Sequence, residues 1–148
     1  MRARRAILFA LTFAAPIALL LGDATAAPPP VYVVIVHPSN PTTSADRKFL
    51  EDAFLKKTTR WDHGEVIRPV DQVPDSPVRR KFSEEVLRRS VAAVRSYWQQ
   101  LIFSGRDVPP PELASDEDVV KYVLKYPGAV GYVSGSADTN GAKIVSVD

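Results

Sequence analysis

The sequence predicts an α/β domain in which helices flank a mixed β-sheet. Three observations carry that expectation. Residues 31–36 (VYVVIV) form an apolar, β-branched run that reads as a strand covered on both faces. Capped stretches of helical periodicity follow it. Two more β-rich runs, residues 129–133 (AVGYV) and 143–147 (KIVSV), close the chain. The expected order is strand, helix, strand, three helices, then two strands, which lays helices over a sheet of mixed direction.

Each element has a local reason. The first strand ends at His37-Pro38-Ser39-Asn40-Pro41, where two prolines and an asparagine signal a turn. Ser44 is the expected cap of a helix whose Phe49, Leu50, Ala53 and Phe54 share one face. A polar turn through Thr58, Thr59, Asp62 and Gly64 leads to a second strand at residues 65–70. Ser76-Pro77 marks the next helix start. Serine caps it, and proline at the first helical position gives up an N–H that had no partner. Val78, Phe82, Val86 and Leu87 are its expected inward face. Ser90 restarts the pattern, with Val91, Val94, Trp98, Leu101 and Ile102 at helical spacing up to Gly105. Residues 108–111 read as a rigid linker. The last helix opens at Ser115 with acidic residues at its positive end, turns Val119, Val120, Val123 and Leu124 inward, and stops at Pro127-Gly128.

The N-terminus has the layout of a secretory signal. Arg2, Arg4 and Arg5 precede an uncharged stretch over residues 6–21, and Ala24-Thr25-Ala26 offers small residues for cleavage. Pro16 interrupts that stretch, which falls short of the roughly 20 residues of a comfortable membrane span. The expected division is residues 1–26 as signal peptide and 27–148 as one mature domain, with no stable membrane anchor after cleavage. The whole chain has 19 Lys+Arg against 17 Asp+Glu; without Arg2, Arg4, Arg5 and Asp23 the count is 16 of each. A neutral mature domain loses the main basis for attraction to nucleic acid, so no nucleic-acid partner is expected.

Catalytic and metal chemistry find little support in the residue pattern. The chain has no cysteine, which excludes disulfides, thiolate metal sites and a cysteine nucleophile. His37 and His63 have no partner at metal-ligand spacing. Gly131-Tyr132-Val133-Ser134-Gly135 departs from the nucleophile-elbow pattern because its serine stands one place late. No phosphate-cradling glycine loop is present. Asp116-Glu117-Asp118 is accounted for by helix capping. A non-enzyme without metal or cofactor is the expectation. Trp61, Tyr97, Trp98 and Tyr132 could stack on sugar rings, but helical periodicity assigns Tyr97 and Trp98 to packing, and Trp61 also favours it. The point with binding potential is the helix start at Asp75-Ser76, where Ser76 offers a hydroxyl and Arg79 a bidentate charge. The simpler reading of the same residues is a capped helix carrying an exposed arginine.

Three phrases occur in a familiar order. Phe54-Leu55-Lys56-Lys57-Thr58-Thr59-Arg60-Trp61 resembles the IFLGK-T-x-W segment of periplasmic phosphate-binding proteins, the substrate-binding subunits of phosphate ABC transporters. Val66-Ile67-Arg68-Pro69-Val70 is similar to the strand that follows it there. Pro127-Gly128-Ala129-Val130-Gly131-Tyr132-Val133 is similar to that family's PGAIGYV. The resemblance implies one lobe of a type II periplasmic-binding-protein-like fold. At Pro74-Asp75-Ser76-Pro77-Val78-Arg79 the sequence departs from the family's Gly-Ser-Gly-Thr loop: the serine matches, the glycines and threonine do not. The mature length is that of one lobe, where the family has two.

The functional expectation is an exported, periplasmic solute-binding-like protein for phosphate or a related oxyanion, working with an ABC transporter permease. Ser39, Ser76, Arg79 and Thr59 are the candidate donors, and Asp75 the candidate acceptor for a phosphate proton. Ser39 and Thr59 match no family ligand motif; they enter because they lie in turns at strand ends. A single lobe cannot close a cleft by hinge motion, so it binds in an open site, pairs as a homodimer, or does not bind phosphate. The alternative function is a ligand-free interaction or sensing module built on the same fold.

Overall fold

The computed structural model describes residues 26–148; the expected signal segment falls almost wholly outside them. Seven strands and four α-helices follow one another: β1 (Tyr32–Val36), β2 (Ser44–Ala45), α1 (Arg47–Phe54), β3 (Arg68–Pro69), β4 (Asp71–Gln72), α2 (Pro77–Phe82), α3 (Val91–Phe103), β5 (Glu112–Leu113), α4 (Asp116–Lys125), β6 (Ala129–Ser134) and β7 (Lys143–Val147). A π-helical turn, Ser83–Leu87, continues α2. It ends at Arg88, whose φ of 53° reverses the chain, and the Ser83 hydroxyl donates to the Arg89 carbonyl across that reversal.

The main sheet has the order β2-β7-β1-β6-β3. β1 runs antiparallel to β6 and β7, while β2 parallels β7 and β3 parallels β6. The sheet is therefore mixed, as its sequence predicts. The two closing strands are consecutive in the chain but are not neighbours: β1 lies between them.

Both faces of the sheet are covered, which explains why β1 carries no charged residue and is aliphatic from Val33 to Val36. Side chains alternate across a strand. Val34, Val36, Val130, Tyr132 and Val145 join Leu50, Phe54, Phe82, Val86 and Trp98 in one core under α1, α2 and α3. Ile35, Ala129 and Val133 join Val70, Val119, Val120 and Val123 in a second core under α4. Gly131 marks the closest approach to that second core. A Cβ there would stand 2.7 Å from Val119 Cγ1 and 2.8 Å from Val70 Cγ1.

Three local expectations change. Ser44 does not cap α1, because it pairs with Ser146 as part of β2; Asp46 is the cap, and its Oδ1 accepts from the Phe49 amide at 2.6 Å. The strand expected over residues 65–70 enters the ladder only at Arg68–Pro69. Past Val70 the chain leaves the sheet, and Asp71–Gln72 pairs in parallel with Glu112–Leu113. That two-stranded sheet, just beyond the proline linker, is a pairing no local pattern announces. The remaining caps are where serine and proline place them: Ser76 with Pro77, Ser90 and Ser115.

Candidate functional site

The polar centre of the molecule forms where β4, α2, β5 and the end of β6 meet. Ser76 caps α2: its hydroxyl accepts from the Arg79 amide at 3.2 Å and donates to Gln72 Oε1 at 2.7 Å. Gln72 then uses its Nε2 for Asp116 Oδ1 at 2.8 Å and the Tyr132 carbonyl at 3.1 Å. Asp116 also accepts from the Ser134 amide at 3.1 Å and from the Ser134 hydroxyl. Ser76, Gln72 and Asp116 thus tie the start of α2 to β4, α4 and the end of β6.

Arg79 is the cationic member of this group. Its side chain is only 4% exposed, because one turn into α2 it points under β4 rather than into solvent. The Nη1 group donates to the Gln72 carbonyl at 2.6 Å and pairs with Glu112, while Nη2 lies 3.5 Å from Asp71 Oδ2. Asp71 in turn accepts from the Tyr132 hydroxyl, and the Tyr132 ring stacks on Phe82 at 4.0 Å.

The two carboxylates on Arg79 are unequal. Asp71 is 6% exposed at its side chain, whereas Glu112 is 37% exposed. Burial raises the Asp71 carboxyl above the ordinary carboxylate range, against the opposing pull of Arg79 and the Tyr132 hydroxyl. Burial and the neighbouring Asp71 likewise raise the Tyr132 phenol, so it keeps its proton and donates. A cleft of about 170 Å³ opens beside this arrangement, lined by Asp71, Arg79, Arg95, Trp98, Pro109 and Glu112, among others. Arg95 is exposed there and adds a second positive charge.

The residues singled out in the sequence separate into two places. Ser76 and Arg79 meet in the polar centre, with Asp75 exposed beside them. Ser39 is exposed in the turn after β1, where its hydroxyl is 2.7 Å from His37 Nδ1. Thr59 is exposed and gives its carbonyl to the Ile67 amide at 2.9 Å. Val36 pairs with Val130 and Arg68 with Ala129, so both turns lie at the start of β6, opposite Ser134. A strand rises about 3.3 Å per residue, which separates Val130 from Ser134 by about 13 Å. Among the described residues no hydrogen bond or ion pair joins Ser39 or Thr59 to Ser76 or Arg79, and neither lines the cleft beside Arg79.

The start of α2 offers an anion fewer backbone donors than a glycine loop would. Pro77 has no N–H, and the Arg79 amide is held by Ser76. The simpler sequence reading holds for the capped helix and fails for the arginine, since Arg79 is buried and not exposed. Asp71, Gln72, Glu112 and Tyr132 were not visible as a group because their contacts span 33 to 61 residues of chain. Asp116 does more than favour a helix terminus; Ser115 is the cap, leaving Asp116 to bind Gln72 and Ser134. Trp61 is packed, 3% exposed, with its indole donating to the Gly128 carbonyl at 3.0 Å. Among the described residues no group of three or more His, Asp or Glu could hold a metal ion.

No protein-family profile matches the sequence, and no curated protein does. Solved structures do. An ABC-type phosphate transport receptor from Vibrio cholerae superposes with a TM-score of 0.60 at 20% identity, over 78% of this chain and 45% of that one. A Clostridium perfringens protein described as a phosphate ABC transporter substrate-binding protein, with bound phosphate, gives 0.60 at 21% identity, over 79% and 44%. PstS from Borrelia burgdorferi gives 0.61 at 13% identity, over 80% and 47%. The chain spans less than half the length of each. It has the mixed α/β fold of about one half of a phosphate-binding protein of the ABC-transport kind.

Proposed function

We propose that this protein is a solute-binding-like module that takes a small oxyanion, phosphate or a relative, at the Arg79 guanidinium. The observation that carries this reading is a buried arginine lining a cleft within a fold shared with phosphate-binding proteins. A guanidinium presents parallel N–H groups that match two oxygens of a phosphate. Arg79 is already balanced by Asp71 and Glu112, and of these only Glu112 stands partly in solvent, where an oxyanion could take its place. Ser76 acts as a positioning residue, because its hydroxyl fixes Gln72, whose carbonyl holds Arg79 Nη1. Asp75, Ser39 and Thr59 line no part of the cleft and are left out of the proposed site.

The reading is one of binding and not catalysis: the neighbours are receptors and substrate-binding proteins by description. A transporter permease is the proposed partner and the periplasm the proposed location. Calorimetric titration of the purified protein with phosphate at low ionic strength tests the site. Saturable 1:1 heat is expected, weakened at least about tenfold in Arg79→Lys, which keeps the charge but loses the fork. A folded protein that gives no heat up to millimolar phosphate refutes it.

A further inference from the structure

The two carboxylates on Arg79 differ in how they are held, and the difference bears on how a ligand reaches it. Asp71 is fixed: the Tyr132 hydroxyl and the Gln72 amide both donate to it, and its side chain is almost fully buried. Glu112 is not. More than a third of its side chain faces solvent, and Arg79 is its one side-chain partner among the described residues. It stands on a strand of two residues, directly after Pro109-Pro110-Pro111, at the wall of the cleft. Its carboxylate occupies Arg79 Nη1 from the side that solvent can reach.

We propose that Glu112 is a built-in competitor for the oxyanion: it holds the anion position on Arg79 in the empty protein and swings into solvent when a ligand takes that position. The proposal rests on the anion reading of Arg79. A phosphate oxygen is an acceptor of the same kind as the Glu112 carboxylate oxygen on Nη1, so one can replace the other without leaving Arg79 bare. Glu112 regains water as it leaves, whereas Asp71 would have to break two hydrogen bonds inside the protein. The exposed carboxylate is therefore the one displaced. Occupancy by Glu112 lowers the apparent affinity by the fraction of molecules whose site is open. It also favours ligands of low charge, because Asp71 and the displaced Glu112 both stay near the site.

The test is phosphate titration of the full chain against Glu112→Gln, which keeps the shape and removes the charge. Calorimetry is paired with carbon NMR of the Glu112 carboxyl and nitrogen NMR of the Arg79 guanidinium in the wild type. The expected result is binding at least about tenfold tighter in Glu112→Gln. In the wild type, the Glu112 carboxyl signal moves towards its solvent-exposed position as phosphate is added. Equal affinities, or Arg79 signals that respond while the Glu112 carboxyl does not, overturn the competitor and leave the anion site standing. Arg79 signals that ignore phosphate in both proteins overturn the anion site and the competitor together. The wild-type NMR arm decides the matter even where Glu112→Gln lowers stability.

Discussion

The centre of the sheet and the corner around Arg79 are built on opposite principles. β1 and β6 pair over five residues, bury nearly every side chain, and separate two apolar cores by simple alternation. The Arg79 corner is assembled from two-residue strands and a six-residue helix, and polar contacts join its pieces. The first region is held by area removed from water, which is non-directional and tolerant. The second depends on each partner being present, because a buried charge left alone is costly. The apolar cores lie in the sheet, and the proposed anion site lies in the corner.

Phe82 touches both regions, stacked on Tyr132 and packed against Phe54. Phe82→Ala should have the largest effect, a loss of about 4 kcal/mol in urea unfolding. Arg79→Ala should follow closely at about 3 kcal/mol, since it strands Asp71. A cost below about 1 kcal/mol would show the corner to be dispensable for folding and break the contrast. Gly131→Ala probes the sheet alone. The new methyl meets Val119 and Val70, so about 2 kcal/mol of overpacking is expected by thermal unfolding, with phosphate binding unchanged. Ser76→Ala removes a cap and the hold on Gln72; it should cost about 1 kcal/mol and weaken phosphate binding, where a mere cap would leave binding alone.

Asp71 gives the smallest and most specific effect. Its carboxyl is raised in the folded protein, so the folded state keeps the proton to higher pH than the unfolded chain does. That contribution favours folding at low pH and is lost as pH rises through the raised value. Relative to Asp71→Asn, the wild type should therefore lose stability as pH is raised from about 4. A difference that grows in the wild type's favour with rising pH would mean that Arg79 outweighs burial.

The contrast between the regions also explains what could be read from the sequence. β1, β6, β7, α2, α3 and α4 carry their signals locally, in β-branched runs and serine caps, and they start where those signals place them; α1 differs, because Asp46 and not Ser44 caps it. β4 and β5 carry none. They are two residues each, and they exist because Asp71-Gln72 and Glu112-Leu113 find each other across 41 residues. Ser76 and Arg79 were legible as a pair, because cap and charge sit one turn apart. Which way Arg79 points was not, since that is decided by Glu112 and Asp71 on other elements. Ser39 and Thr59 were drawn in by their place in turns. A turn at a strand end is a weak guide to a site until register shows which end of the sheet it occupies.

Seeing the anion tests the proposed Arg79 site most directly. Crystals of the full protein grown with tungstate, an electron-dense tetrahedral oxyanion, locate it by anomalous scattering. One strong peak is expected within hydrogen-bond reach of the Arg79 guanidinium, with the Glu112 carboxylate turned out of the cleft. A peak at Ser39 or Thr59, or tungstate absent from the cleft while Glu112 remains on Arg79, would overturn the Arg79 site.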